Sequence, residues 1–260
     1  MAQFRVSFAG AGRVAGALCN EMHCSGIRIV QVSSEKSTNG KSLARKCKAV
    51  WSSGLEFRDQ ADIIIVAVPD HRLQEVLGRI ECPDNTLVAH TAGSFGLDLF
   101  PERIRHRGVF YPLQTFSEKR KIDFRDLPFF IETSDEKSSL ILKKLAELLG
   151  GRVYFVDSDH RKMLHLAAVF ACNFVNHMLT AGKEVTTKAG ISFEVLKPLI
   201  QETISKALEN GPEGSQTGPA ARNDRNTIAG HMDLLSFSPD LQKVYREVTR
   251  SIIEHCKKQI

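Results

Sequence analysis

The stretch Phe4–Gly16, FRVSFAGAGRVAG, constrains the fold of this chain more than any other. A short apolar run leads straight into a glycine-rich turn and then into a helical pattern. Gly10, Gly12 and Ala15 fill the spacing G-x-G-x-x-(G/A), and each small residue has a task there. Gly10 permits the tight turn, Gly12 lets the backbone approach a pyrophosphate, and Ala15 lets helix and strand pack closely. The helix that follows points its positive end and its unpaired N–H groups at the phosphates. Gly10, Ala11, Gly12, Arg13 and Val14 are therefore expected to hold a dinucleotide. The plainer alternative is a glycine turn without a ligand.

With 260 residues, 42% hydrophobic and 25% charged, the chain has the material for one large or two modest globular domains. Its formal net charge of +5 is scattered, apart from small knots at Glu118–Lys121 and Lys257–Lys258. That pattern fits a solvated surface that attracts small anions, not a nucleic-acid footprint. Six cysteines lie far apart without a C-x-x-C pair, which fits reduced thiols in a cytoplasmic protein. Arg5 and Arg13 interrupt the first apolar run, so no export signal is expected. No apolar run approaches the ~20 residues of a membrane span. The nine histidines show no metal-ligand spacing with the carboxylates, so no metal is expected.

The hydrophobic pattern alternates strands and helices up to residue 156. Strands are expected at Ile27–Val32, Ala49–Trp51, Asp62–Val68, Thr86–His90, Gly108–Tyr111, Phe129–Glu132 and Val153–Val156. Asp62–Val68, DIIIVAV, reads as a central parallel strand buried on both faces. Helices fit Val14–Cys24, Ser42–Lys48, His71–Ile80 and Lys137–Leu149. This is the pattern of an α/β, Rossmann-type doubly wound sheet over residues 1–156. From 157 to 260 the chain reads as all-helical. Lys162–Gly190 is a long apolar helix, Phe193–Glu209 a second with Pro198 as an internal kink, and Asn210–Pro219 a turn-rich loop. Two more helices fit Ala220–Leu234 and Pro239–Lys257. So long an apolar helix must be covered, and a second subunit is the expected cover, making a homodimer.

The end of the second strand reads Val32-Ser33-Ser34-Glu35-Lys36. NAD sites place an acidic residue there for the ribose 2′-OH, whereas hydroxyls and a cation suit the 2′-phosphate of NADP. Ser33, Ser34 and Lys36 thus favour NADP. A one-residue shift would bring Glu35 into the acidic role and keeps NAD open. Ligands of open α/β sheets gather at the carboxyl ends of strands. Val68 and Pro69 end one strand and are expected at the cofactor, as is Thr91. His90 follows a strand where a nicotinamide would lie and is a catalytic candidate, although Thr91 and Ser94 also suit plain turns and caps. Ser94 and Gln114 are candidate substrate contacts.

His165, Val169, Asn173 and His177 follow i, i+4 spacing, one ridge of a helix. His165 suits a proton donor, and Asn173 suits a holder of the substrate oxygen or of the nicotinamide amide. A histidine merely hydrogen-bonded in a helix interface fits His165 equally. Thr217 and Arg222 lie in a polar, glycine-rich segment where Arg222 either pins a substrate carboxylate or, in a structural loop, caps a helix or pairs with Asp224.

Six segments carry a family resemblance: FAGAGRVAGAL, ADIIIVAVPDHRLQEV, VAHTAGSFGLDLF, FYPLQTFS, HLAAVFACNFVNHML and GSQTGPAARNDRNTIAGH. Spread in order over nearly the whole chain, they resemble the proteins that join a Rossmann-like domain to a C-terminal DUF2520 domain and are named NADP- or F420-dependent oxidoreductases. The layout is distantly similar to pyrroline-5-carboxylate reductases, β-hydroxyacid dehydrogenases and ketopantoate reductases. In these the helical domain, of the 6-phosphogluconate dehydrogenase C-terminal type, supplies catalytic groups and dimer contacts. The resemblance implies hydride transfer between NADP and a small anionic carbonyl or imine. A silent dinucleotide-binding sensor and an NADP:F420 reductase are the alternatives. Two departures stand out. Tyr111 precedes Pro112 where the family more often has His, and aligning Asn173 with the dehydrogenases' G-x-x-x-K-x-x-x-N motif puts Val169 on the proton-donating lysine.

Overall fold

Eight strands form one sheet in the computed structural model, which describes residues 4–58, 61–117 and 120–258. Glu118 and Lys119 of the expected basic knot lie outside the described residues. The strands are β1 (Arg5–Ala9), β2 (Arg28–Ser33), β3 (Val50–Ser52), β4 (Ile63–Val66), β5 (Leu87–His90), β6 (Arg107–Pro112), β7 (Pro128–Thr133) and β8 (Arg152–Phe155). Their order is β3-β2-β1-β4-β5-β6-β7-β8, with every pairing parallel except β6 with β7. The winding reverses between β1 and β4, and that switch point opens a crevice at the strand ends.

Four helices cover the sheet: α1 (Arg13–Cys24), α2 (Ser37–Lys46), α3 (Asp70–Arg79) and α4 (Glu136–Leu148). The sequence of β4 explains why both faces are covered. Ile63 and Ile65 join a core with Leu18 and Met22 of α1, Leu43 of α2 and Leu145 of α4. Ile64 and Val66 point the other way, into a core with Leu73 and Leu77 of α3. Alternating side chains that are all apolar require a layer on each side. The expected doubly wound sheet is therefore present.

The chain divides into two compact units, Met1–Phe170 and Ala171–Ile260, not at the expected boundary of 156/157. The difference lies in α5 (Ser158–Ala168), whose fully buried Arg161 donates to Glu132 of β7. Helix α5, the π-helical turn Val169–Phe174 and α6 (Val175–Lys188) make one helix, Ser158–Lys188, of 31 residues. By length and composition it is apolar enough to cross a membrane, although no uninterrupted apolar run within it is that long. Asn173 and His177 break the run without making the segment polar. None of its most apolar window is buried within the single chain.

The second unit continues with a 3-10 turn, Phe193–Leu196, then α7 (Lys197–Asn210), α8 (Pro212–Ser215), α9 (Arg225–Leu234) and α10 (Pro239–Lys257). Pro198 lies in the first turn of α7, not at an internal kink. A first-turn N–H has no intrahelical partner, so its loss there costs little. Helix α8 sits inside the expected loop. Helix α9 starts later than expected, at Arg225, because Asp224 caps it by accepting from Thr227 N–H and Oγ1 at 3.1 and 2.7 Å. Among the described residues of this unit, only Leu235 and Thr249 are buried.

Candidate functional site

The glycine turn places its three small residues in different surroundings. Gly10 has φ +115°, and a side chain there would run into the Ala67 carbonyl beyond β4. Gly12 immediately precedes α1, and a Cβ on it would meet nothing within 4 Å. Open space thus faces the helix N-terminus, whose first turn holds no acidic residue. Ala15 is fully buried against the sheet.

A cavity of about 480 Å³ opens at this turn. Gly10, Ala11 and Gly12 line it from the turn, Ser33, Ser34 and Lys36 from the end of β2, and Val68 and Pro69 from the end of β4. Seven residues of the expected cofactor set are therefore brought together with Gly10 at one crevice. Two others are placed differently. Arg13 lines an adjoining cavity with Lys46, Arg120 and Lys121. Val14, partly buried, packs its side chain against the core and does not line this cavity. Ser33 needs a correction of another kind: its hydroxyl donates to the Gly54 carbonyl, and the residue is 1% exposed. Ser34 accepts from Trp51 Nε1 at 3.3 Å and donates to the Lys36 carbonyl at 3.1 Å.

Sequence reading missed Arg72 in the wall of this cavity. Its guanidinium donates to both Glu35 oxygens at 2.5 and 3.2 Å and to Glu75 at 2.8 Å. Arg79 donates to Glu75 at 3.1 Å, which extends the row of alternating charges. The hydrogen bonds from Arg72 hold the Glu35 carboxyl below its usual range. Arg72 stands 37 residues from Glu35, and only the return of the chain through β4 places it there.

A second cluster gathers where β5, β6 and α5 meet. His90 ends β5 and is fully buried; its Nδ1 accepts the Ala92 N–H at 3.3 Å, and its Nε2 faces the Gly96 carbonyl at 3.4 Å. Burial pushes its pKa down to about 4. A neutral ring with both nitrogens engaged folds the loop 91–96 and cannot donate protons to a substrate, which corrects its expected catalytic role. Thr91 extends the ladder through an N–H bond to the Val66 carbonyl at 3.1 Å.

Arg161 donates to Glu132 and to the Phe95 carbonyl, each at 2.5 Å. Ser158 also donates to Glu132, at 2.8 and 3.0 Å. These bonds fasten α5 to β7 and to the loop after β5. His165 stands four residues after Arg161 and so shares its helix face. There its Nδ1 lies 3.0 Å from the Tyr111 hydroxyl. The sequence marked Tyr111 only as a family departure; its place at the carboxyl end of a strand was the available signal.

The remaining candidates are dispersed. Ser94 is partly exposed, and Gln114 is exposed with its carbonyl accepting the Thr115 N–H at 2.8 Å. Asn173 lies in the π-helical turn, where i→i+5 bonding breaks the expected i, i+4 ridge from His165 to His177. Thr217 lines an apolar cavity of about 350 Å³ in the second unit, together with His231, whose Nδ1 is 2.7 Å from the Tyr245 hydroxyl. Arg222 is exposed. Among the described residues no group of three or more His, Cys, Asp or Glu is placed to hold a metal ion.

Two family models match. Residues 5–93 match NADP oxidoreductase coenzyme F420-dependent, and residues 127–252 match Domain of unknown function (DUF2520). A Bacteroides fragilis protein provisionally named an NADP oxidoreductase is similar at 40% identity and a TM-score of 0.89, over 97% of this chain and 98% of that one. An imine reductase from Myxococcus stipitatus, solved with NAD+, is 15% identical with a TM-score of 0.62, over 98% of this chain and 99% of that one. A 1-pyrroline-5-carboxylate reductase from Streptococcus pyogenes is 14% identical with a TM-score of 0.59, over 97% and 99% of the two chains. At those two lower identities the likeness is one of fold. No curated protein matches the chain in sequence.

Proposed function

This chain belongs to the family that joins an NADP oxidoreductase coenzyme F420-dependent domain to DUF2520, and we propose that it is an NADP-dependent oxidoreductase acting on a small anionic carbonyl or imine. The glycine cradle carries the proposal: the open space at Gly12 faces the uncapped start of α1, and a side chain there would fill it. A nicotinamide dinucleotide, when bound, supplies or accepts the hydride. The α1 N–H groups and the Gly12 backbone would hold its pyrophosphate. Ser34 and Lys36 would take the ribose phosphate. Glu35, the alternative partner for an NAD ribose, is engaged by Arg72, which supports NADP over NAD.

His165 is proposed as the proton donor to the reacting oxygen or nitrogen. For Asn173, Thr217 and Arg222, substrate binding is proposed from residue type alone, as it is for Ser94 and Gln114. The fold likeness to an imine reductase and a pyrroline-5-carboxylate reductase supports an imine as one substrate class. We also propose a cytoplasmic location, on cysteines that are all free thiols although the Cys19 and Cys47 sulfurs lie 3.2 Å apart, and a homodimer formed through the helical unit, on its exposed apolar side chains. Neither nucleic acid nor membrane is proposed as a partner.

The family match over residues 5–93 favours a second reading, reduction of a deazaflavin cofactor. Val169, at the place of the lysine in the β-hydroxyacid dehydrogenase motif, favours a third, dinucleotide sensing without turnover. Titration calorimetry with NADPH and NADH, then cofactor oxidation with imines, oxo acids and a deazaflavin, separates them. NADPH is expected to bind at least ~10-fold tighter than NADH, a difference of about 1.4 kcal/mol. His165→Ala is expected to lower turnover by ~10²-fold with cofactor affinity unchanged. Failure of both nucleotides to bind overturns all three readings. Binding without oxidation selects the sensor.

A further inference from the structure

His165 of α5 and Tyr111 of β6 meet with Tyr111 Oη 3.0 Å from His165 Nδ1 and their rings edge-on, 5.9 Å apart at 71°. Gly93 lies against both. A Cβ on Gly93 would stand 2.8 Å from His165 Nδ1 and 2.9 Å from Tyr111 Cζ, so the pair can close only over a glycine. One turn earlier on α5, buried Arg161 binds the Phe95 carbonyl of the same loop. Three elements distant in sequence are thus fastened around one imidazole. Among the described residues its Nε2 has no hydrogen-bond partner.

We propose that Tyr111 is the positioning residue for proton delivery by His165: its oxygen accepts the Nδ1–H, which makes Nε2 the atom that exchanges protons with the substrate. The proposal rests on the oxidoreductase function assigned to this site. In the imidazolium both nitrogens carry a proton. A bound reduced nicotinamide would supply hydride to the carbon of a C=O or C=N group, and His165 Nε2 would supply the proton to the oxygen or nitrogen that takes the π pair. The substrate would be reduced at the expense of that hydride donor, and the His165 ring would be left neutral with Nδ1–H still bonded to Tyr111. Solvent then returns a proton to Nε2. If the Tyr111 hydroxyl instead donated to Nδ1, the ring would hold its single proton on Nε2 and would become an imidazolate on giving it up, which makes it a far weaker acid. Orientation of a catalytic histidine through the nitrogen it does not use is a general device of proton-transfer sites.

NMR of the ¹⁵N-histidine-labelled protein at about pH 8.5, ~2 units above the ordinary imidazole value, reads the tautomer with no substrate present. His165→Gln assigns the resonances. The expected result is His165 as the Nδ1–H form in the wild type. In Tyr111→Phe it should shift to the Nε2–H form that neutral histidines without such an acceptor favour. Gly93→Ala, which sets a methyl between the rings, should do the same. Tyr111→Phe should also lower turnover of the identified imine or oxo acid about 10-fold or more while leaving NADPH affinity in place. A wild-type ring protonated on Nε2, a tautomer unmoved by Tyr111→Phe, or unchanged turnover would each overturn the proposal. If the wild type reduces none of the substrates, the oxidoreductase function falls instead, and the NMR result still decides the direction of the Tyr111–His165 bond.

Discussion

At His90 an ionisable side chain has become part of the framework. The ring stacks on Phe100 at 5.3 Å, and burial depresses its pKa from 6.5 to about 4. Between those values the unfolded chain binds more protons than the folded one. The favourable burial of the neutral ring is therefore complete above the unfolded value and is lost progressively as the pH falls through that window. At 1.36 kcal/mol per pKa unit, the loss reaches about 3 kcal/mol. Melting curves taken from about pH 7.5 down to about pH 5 should fall more steeply for the wild type than for His90→Gln. Parallel slopes would remove His90 as the cause. Residue type alone could not separate His90, which ends an apolar run, from His165, which precedes one. Ser33 carries the same lesson: a hydroxyl at the end of β2 was legible, and its inward bond to Gly54 was not.

The glycine turn between β1 and α1 is an element whose geometry follows from its own sequence. The φ of +115° at Gly10 and the clear space at Gly12 are what the motif demands. Gly12→Ala should therefore retain the fold, at a cost of at most ~1 kcal/mol as an N-cap change. The added methyl would project where a pyrophosphate is proposed to lie. Calorimetry should show NADPH binding weakened by ~10-fold or more, about 1.4 kcal/mol. Wild-type affinity in Gly12→Ala would place the phosphates elsewhere. Other elements were less legible. A spacing argument assumes 3.6 residues per turn, so the π-helical turn at Val169–Phe174 was invisible to it. The 3-10 turn before α7 likewise moved Pro198 from an expected kink to a helix start.

The helical second unit has little interior of its own. Leu208 is 83% exposed, Leu199 63% and Val185 41%, and Met178 and Val185 line an apolar cavity. Apolar area left on a single chain is stabilised by association. Sedimentation or light scattering should give twice the mass of one chain at micromolar concentration, and Met178→Glu with Val185→Glu should give monomers. A wild type that is monomeric at every concentration would refute the homodimer. The doubly wound sheet was readable in advance because β4 is apolar at every position, and only a layer of helices on each side can bury such a strand. Periodicity and glycine spacing are local properties, and they determined the strands, the cradle and most helices. Side-chain partnership is not local. Arg72 with Glu35, Arg161 with Glu132 and Tyr111 with His165 join segments tens of residues apart, and burial and approach after folding decided which polar groups met.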